Sequence, residues 1–186
     1  MALQILEQSG FPALSASALC DRMAVTRGSF YHHFASFDDF VDGLLGHWEV
    51  HYSRELIHGS AEVVDLVEML RRQAQLAASL PHGAEVSLRA WATINSRVGA
   101  ALRRVDQLRH DGLTRSLIDH AVPAATAEIY ADISLNALTG AQMSRATPEK
   151  MLEMYDELGA LLITKATATS QLAVGGIRTG AKASAE

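Results

Sequence analysis

Between residues 26 and 33, one short stretch holds Thr26, Arg27, Gly28, Ser29, Tyr31, His32 and His33, with Phe30 the only apolar residue among them. That set suits the reading of nucleic acid. An arginine can donate two parallel bonds to guanine O6 and N7, worth about 1–3 kcal/mol of discrimination against a wrong base. Hydroxyl and imidazole groups suit phosphates and base edges. A glycine inside a helix costs roughly 1 kcal/mol relative to alanine, and it lets the backbone approach a groove closely. The alternative reading of Gly28 is that it eases packing against the preceding helix.

Two short helices joined by a tight turn would position this set. Ser15 caps the first, whose Leu19, Cys20 and Met23 form an apolar face that must be buried. Thr26 caps the second, with Val25 and Phe30 spaced as a hydrophobic staple. Phe30 and Phe34 form its inner stripe, so the polar set faces outward; of the two histidines, His33, beside Phe34, is the more suited to packing. Upstream, Ala2, Leu3, Ile5 and Leu6 line another helix that Gly10 stops. Downstream, Ser36 and Asp39 form a capping pattern for a fourth.

The run AVTRGSFYHHFASFDDF resembles the helix-turn-helix of the tetracycline-repressor (TetR) family of bacterial regulators. The resemblance implies that Arg27, Gly28, Ser29 and His32 lie toward base edges in the major groove, and Thr26, Tyr31 and His33 toward the phosphate backbone. Phe37 stands where the family usually has a lysine. Further on, SLRAWATINSRVGAALRRVDQLR is similar to a segment of some of these regulators. Family architecture implies that the last two helices, about 123–140 and 148–170, form a homodimer. Alanines 124, 125, 127, 131 and 137 permit the close approach this needs.

Charge runs against that reading. From Met1 to His58 three arginines (22, 27, 54) face seven acids (Glu7, Asp21, Asp38, Asp39, Asp42, Glu49, Glu55), a net of −4 with histidines neutral. No basic arm precedes the first helix. Phosphate neutralisation supplies most of the affinity of DNA-binding modules, so few phosphate contacts and weak non-specific binding are expected. Five histidines (32, 33, 47, 51, 58) are able to gain charge in mild acid.

At 186 residues, 48% hydrophobic and 20% charged, the chain can bury a sizeable core. After Asp38 the punctuation marks helices and no strand alternation: one from Gly59–Ser60 to Pro81, then Ala84 to Arg97, Gly99 to His120, Pro123 to about Leu138, and a last one opened by Thr147-Pro148-Glu149. The expected fold is all-α, with a helix-turn-helix head (1–37), a helical effector-binding and dimerisation body (38–172, its segment 38–58 a connecting helix) and a flexible tail (173–186). No run reaches the length of a membrane span and no secretory leader is evident, so a cytoplasmic protein is expected. The lone Cys20 lies on an apolar stripe and reads as a buried structural thiol.

These features together predict a ligand-responsive transcriptional repressor. It would bind a palindromic double-stranded DNA operator as a homodimer and be released by a small, mostly apolar effector that works through the connecting helix. Trp48, Met69, Trp91 and Tyr130 are the candidates for the effector pocket. Two rivals exist. His47, His51 and Glu55, with His58 nearby, could bind a metal, but their spacing spreads them over about 12 Å of helix. No nucleophile motif or phosphate-binding glycine loop is present, so neither an enzyme nor a cofactor is expected. The other rival keeps the helical dimer and its ligand or protein partner but has lost the grip on DNA.

Overall fold

The structure is a computed structural model that describes the backbone of residues 1–58 and 65–180 and the side chains of 1–51 and 65–166. Among the described residues it contains helices and no strand, as the all-α expectation requires. In order these are α1 (Ala2–Ser9), α2 (Ala16–Met23), α3 (Arg27–His33), α4 (Phe37–His58), α5 (Leu66–Ala78), α6 (His82–Ala92), α7 (Ser96–Asp119), α8 (Ala124–Met143) and α9 (Pro148–Gly180). A single 3-10 turn, Phe11–Ala13, follows α1.

The caps fall at the expected residues. Ser15 Oγ accepts from the Ala18 N–H and Thr26 Oγ1 from the Ser29 N–H, each at 3.1 Å. At the start of α4 the Asp39 N–H donates to Ser36 Oγ (3.0 Å) while the Asp39 carboxylate accepts from the Ala35 N–H (2.9 Å). Each such cap is worth about 1 kcal/mol. Gly10 ends α1 at φ +76°, where a side chain would be strained.

Several boundaries differ from the sequence expectation, each for a local reason. Helix α7 starts at Ser96 because the Asn95 side chain accepts from the N–H groups of Arg97 (3.0 Å) and Val98 (3.2 Å), which makes Asn95 a cap. Helix α5 starts at Leu66, where Asp65 accepts from the Glu68 N–H (3.3 Å); the start expected at Gly59–Ser60 lies outside the described residues. Helix α9 continues through Gly180, across residues 173–180 of the segment expected to be a flexible tail. Residues 181–186 lie outside the described residues.

Head and body share one core. Leu6, Leu19, Phe30, Leu45 and Trp48 from α1 to α4 pack in the same cluster as Leu88, Trp91, Val98 and Val105 from α6 and α7. Phe11 stacks on Trp91 with ring centroids 6.0 Å apart and planes within 6°. Helix α6 crosses α1 so closely that a Cβ on Gly83 would meet Glu7 Cγ at 2.9 Å and the Glu7 carbonyl at 3.3 Å. A second core joins Met69, Leu117, Ala127, Tyr130 and Leu162 from α5, α7, α8 and α9. One expected core member is corrected: Met23 is 54% exposed, since α2 ends on it, while Leu19 and Cys20 are buried.

Candidate nucleic-acid interface and body cavity

Helix α3 is anchored by one residue. Phe30 is buried, and its ring lies 5.2 Å from Phe34 and 5.5 Å from Phe40. Phe37 completes this aromatic group through Phe40 at 5.7 Å. Phe37 therefore packs at the root of α4 where a lysine would have been free to reach for a phosphate. The turn before α3 is closed by Ala24 at φ +54° and by the Val25 N–H donating to the Cys20 carbonyl (3.0 Å). The buried Cys20 thiol donates to the Thr26 carbonyl (3.6 Å), so it serves the turn.

With Phe30 fixed inward, Thr26, Arg27, Gly28, Ser29, Tyr31, His32 and His33 are all exposed, so the structure brings the sequence-predicted residues onto one outward surface. His33 does not pack inward; its ring meets that of His32, with centroids 5.4 Å apart. Arg27 Nη2 donates to Ser17 Oγ on α2 (3.0 Å), a surface bond that contact with a base would have to replace. A Cβ on Gly28 would meet nothing nearer than Thr26 Oγ1 at 3.6 Å. Packing within the chain thus does not demand glycine here.

The acidity of the head is partly met from the body. Arg97 on α7 lies 3.5 Å from Asp38 and 3.2 Å from Asp42, and Arg104 lies 3.1 Å from Glu49. Three of the seven acids counted against DNA binding therefore face arginines that a tally of the first 58 residues leaves out. These pairs are exposed and each adds at most about 1 kcal/mol of stability, but they lessen the negative field behind α3.

The four residues expected in an effector pocket do not share a cavity. Trp48 and Trp91 lie in the core that joins head to body, and Met69 and Tyr130 in the body core. A cavity of about 50 Å³ opens instead between α5, α7, α8 and α9, with apolar walls of Ala77, Leu113, Leu135 and Leu138 and polar groups from Arg109 and Ser134. Leu113 links this cavity to the core of Met69 and Tyr130. Burial pushes the Tyr130 hydroxyl up to about 12 and raises that of Tyr155 as well, so both are neutral donors at ordinary pH.

Arg109 links the cavity to Trp48. Its guanidinium makes two bonds to the Glu85 carboxylate, from Nη1 at 3.0 Å and Nη2 at 2.5 Å, and lies 6.0 Å over the Trp48 ring. The same carboxylate accepts from Trp48 Nε1 (3.3 Å) and Gln142 Nε2 (2.8 Å). Burial alone would push the Glu85 carboxyl up; the bonds and charge of Arg109, the bond from Gln142 and the nearby Arg89 charge outweigh it and hold it below its usual range. A buried network thus joins α4, α6, α7 and α8. Sequence reading missed it, although Arg109 falls in the apolar series Val98, Ala101, Val105 on α7, where a charge signals a buried partner.

His47 and His51 on α4 are exposed, with stacked rings 5.4 Å apart. The side chains of Glu55 and His58, needed for the metal reading, lie outside the described residues. Among the described residues no group of three His, Cys, Asp or Glu side chains is placed to hold a metal, and no helix is long and apolar enough to cross a membrane.

A short capped helix held outward by one buried phenylalanine, on a helical body, defines the class: this is the fold of a helix-turn-helix DNA-binding transcriptional regulator. Residues 1–44 match the family model of bacterial regulatory proteins, tetR family, and the chain as a whole shares the fold of solved regulators of that kind. A transcriptional regulator from Rhodococcus sp. Rha1 superposes with a TM-score of 0.75 at 17% identity, over 89% of this chain and 93% of that one. A TetR transcription regulator from Haloarcula marismortui gives 0.68 at 18% identity (89% and 92% covered), and the fatty acid degradation regulator FadR from Bacillus halodurans 0.65 at 15% (87% and 90%). At these identities the likeness is one of fold. No curated protein matches the chain.

Proposed function

We propose that the protein is a ligand-responsive transcriptional repressor that binds a palindromic operator as a homodimer and is released when a small, mostly apolar effector enters its body. The observation that carries the reading is α3 itself: Phe30 is buried while Thr26, Arg27, Gly28, Ser29, Tyr31, His32 and His33 are exposed together. Arg27, Gly28, Ser29 and His32 would meet base edges, with Thr26, Tyr31 and His33 on the phosphates. The N-terminus of a helix adds unpaired N–H groups and a positive partial charge toward a phosphate.

The dimer reading is supported by α8 and α9, where Ile129 (52% exposed), Ile133 (47%) and Leu161 (67%) leave an apolar surface uncovered in the single chain. Two copies joined there would hold two recognition helices, and a spacing of about 34–36 Å would match successive major-groove turns. An effector that changes the spacing releases DNA; such couplings are typically about 1–3 kcal/mol. Repression by blocking a promoter needs no activation surface, and such a regulator works in the cytoplasm. The effector site would be the cavity beside Arg109, with Trp48 reached through Glu85, and Met69 and Tyr130 behind Leu113; Trp91 would act through its stack on Phe11.

Selection of bound sequences from random DNA at low salt tests the reading. A palindrome should be enriched, lost with Arg27→Ala, and bound more weakly with Tyr31→Phe. Enrichment of nothing at any salt would overturn it in favour of a helical dimer that binds only a ligand or a protein.

A further inference from the structure

On α3 the one permanent cation is Arg27, and it is bonded to Ser17. His32 and His33 fill the last turn, both exposed, with ring centroids 5.4 Å apart and planes crossed at 69°. The carbonyl end of a helix favours positive charge, and histidine is the side chain whose charge changes close to neutral pH. Among the described residues no carboxylate stands within ion-pair distance of either ring. The charged groups on the neighbouring helices are engaged elsewhere or open to solvent. Arg22 on α2 is bonded to Gln8 (2.7 Å), Asp39 on α4 takes the Ala35 N–H (2.9 Å), and Asp38 and Asp42 face Arg97. Glu7 on α1 lies against Gly83 of α6, and Asp21 on α2 is exposed. On α3 itself the Tyr31 ring rests edge-on against Phe30.

We propose that this protein takes up a proton from solvent when it binds DNA, and that the proton goes to His33. The proposal rests on the DNA-binding reading above and adds its regulation: the grip on DNA weakens as the pH rises through neutrality. A phosphate beside an imidazole stabilises the charged form of the ring, and His33 is the member of the pair on the phosphate side of that reading. One proton is expected and not two. In water, unit charges 5.4 Å apart disfavour each other roughly fourfold. A charged His33 thus favours a neutral His32, which has one ring nitrogen to donate and one to accept at a base edge.

The charge balance of the head gives this proton its weight. Residues 1–58 hold three arginines and no lysine against seven acids, and each phosphate that a cation neutralises changes the slope of log K against log salt by about 0.9. In a lysine-rich head one further charge would be a small part of the grip. Here it joins a single arginine on the reading helix, so the pH decides a large share of the attraction to the phosphate backbone.

A phosphate contact is independent of sequence, so a mixed-sequence duplex at low salt serves as the probe. Calorimetric titration of the full chain with this duplex, in buffers of different ionisation enthalpy, counts the protons. Between about one half and one proton should enter per chain bound, and affinity should fall about three- to tenfold per pH unit from about pH 7 to 8. His33→Gln should lose the uptake and flatten the pH profile. His33→Arg should also lose the uptake but bind at pH 8 at least as tightly as the wild-type protein. His32→Gln should keep the uptake. Both positions are exposed, and circular dichroism should show the wild-type helical signal in all three variants. The wild-type salt slope should be steeper at low than at high pH by up to about 0.9 per chain, and that of His33→Arg the same at both. Binding without proton uptake, uptake undiminished in His33→Gln, or uptake lost in His32→Gln overturns the proposal and leaves the DNA-binding reading standing. Absence of binding at every pH overturns both.

Discussion

Replacing Glu85 by glutamine keeps the shape of the side chain and removes its charge, and the consequences can be worked from its four hydrogen bonds. Arg109, only 4% exposed in its side chain, would be left as a buried cation without a counter-charge, and Trp48 and Gln142 would face a weaker acceptor. Removing one partner of a buried ion pair costs about 3–5 kcal/mol, against a total stability of about 5–15 kcal/mol. For a chain of this length that amounts to a fall in Tm of about 6–20 °C. Denaturant unfolding at pH 7 should show a lower midpoint with an unchanged slope. The joint replacement Glu85→Leu with Arg109→Met should recover most of the loss, because a buried ion pair and a well-packed apolar pair are of similar worth.

The pH dependence follows from the depressed carboxyl. Its stabilisation is present above the value of the unfolded chain, near 4.5, and is lost as pH falls below that toward the lower folded value. The wild-type protein should therefore weaken progressively below about pH 4.5, and Glu85→Gln should lose that part of the slope. A cost under about 1 kcal/mol at pH 7, the size of an exposed pair, or an acid slope identical in the variant, would refute the reasoning that this carboxylate is buried and paired.

Three further outcomes are expected. Gly28→Ala should raise unfolding stability by about 0.5–1 kcal/mol, because the added methyl meets only Thr26 Oγ1 at 3.6 Å, yet lower affinity for the selected operator; unchanged affinity would show that the groove does not need the bare backbone. Ala24→Gly should stabilise the head by about 0.5–1 kcal/mol by relieving a left-handed residue, in equilibrium unfolding, since Ala24 holds φ +54°. Leu161→Glu, at the most exposed apolar position named on α9, should convert the proposed dimer to monomer in sedimentation while leaving the helical content unchanged.

Local signals in the sequence were readable wherever a structural device was made of neighbours along the chain. Ser15, Thr26, Ser36 and Thr147 all cap as their spacing indicates. Cooperation between distant segments was not readable in the same way. The head counts as acidic only until Arg97 and Arg104, more than 50 residues away, come to lie against Asp38, Asp42 and Glu49. Likewise the large apolar residues Trp48 and Trp91 are sensible pocket candidates by size, but the closure of α1 and α4 onto α6 and α7 commits them to the joint between head and body. Glu85 and Gln142 are unremarkable on their own helices and gain meaning only opposite Arg109.

That joint also limits how a ligand could move the head. A lever made of α4 alone would have to slide past α7 and break the pairs of Arg97 and Arg104 with the acids on α4. It would also have to withdraw Trp48 from Glu85, which sits on α6. Helix α6 in turn touches α1 backbone to backbone at Gly83 and holds Phe11 through Trp91, so the head is fastened to it independently of α4. Exposed ion pairs are weak and can re-form with a shift of a few ångströms, whereas the Gly83 crossing leaves no room to compress and packed cores pass strain on rather than absorb it. A movement that keeps α1 to α4 and α6 together and shifts them against α5, α8 and α9, with α7 as the seam, spares these contacts and strains instead the buried bond from Gln142 on α8 to Glu85 on α6. Arg109 lies on that seam, bonded to Glu85 on one side and facing the body cavity on the other. Under the proposed function a ligand there would act on the whole head through α6 as well as α4, so weakening the Gly83 crossing should uncouple the proposed DNA release from ligand binding without abolishing either one.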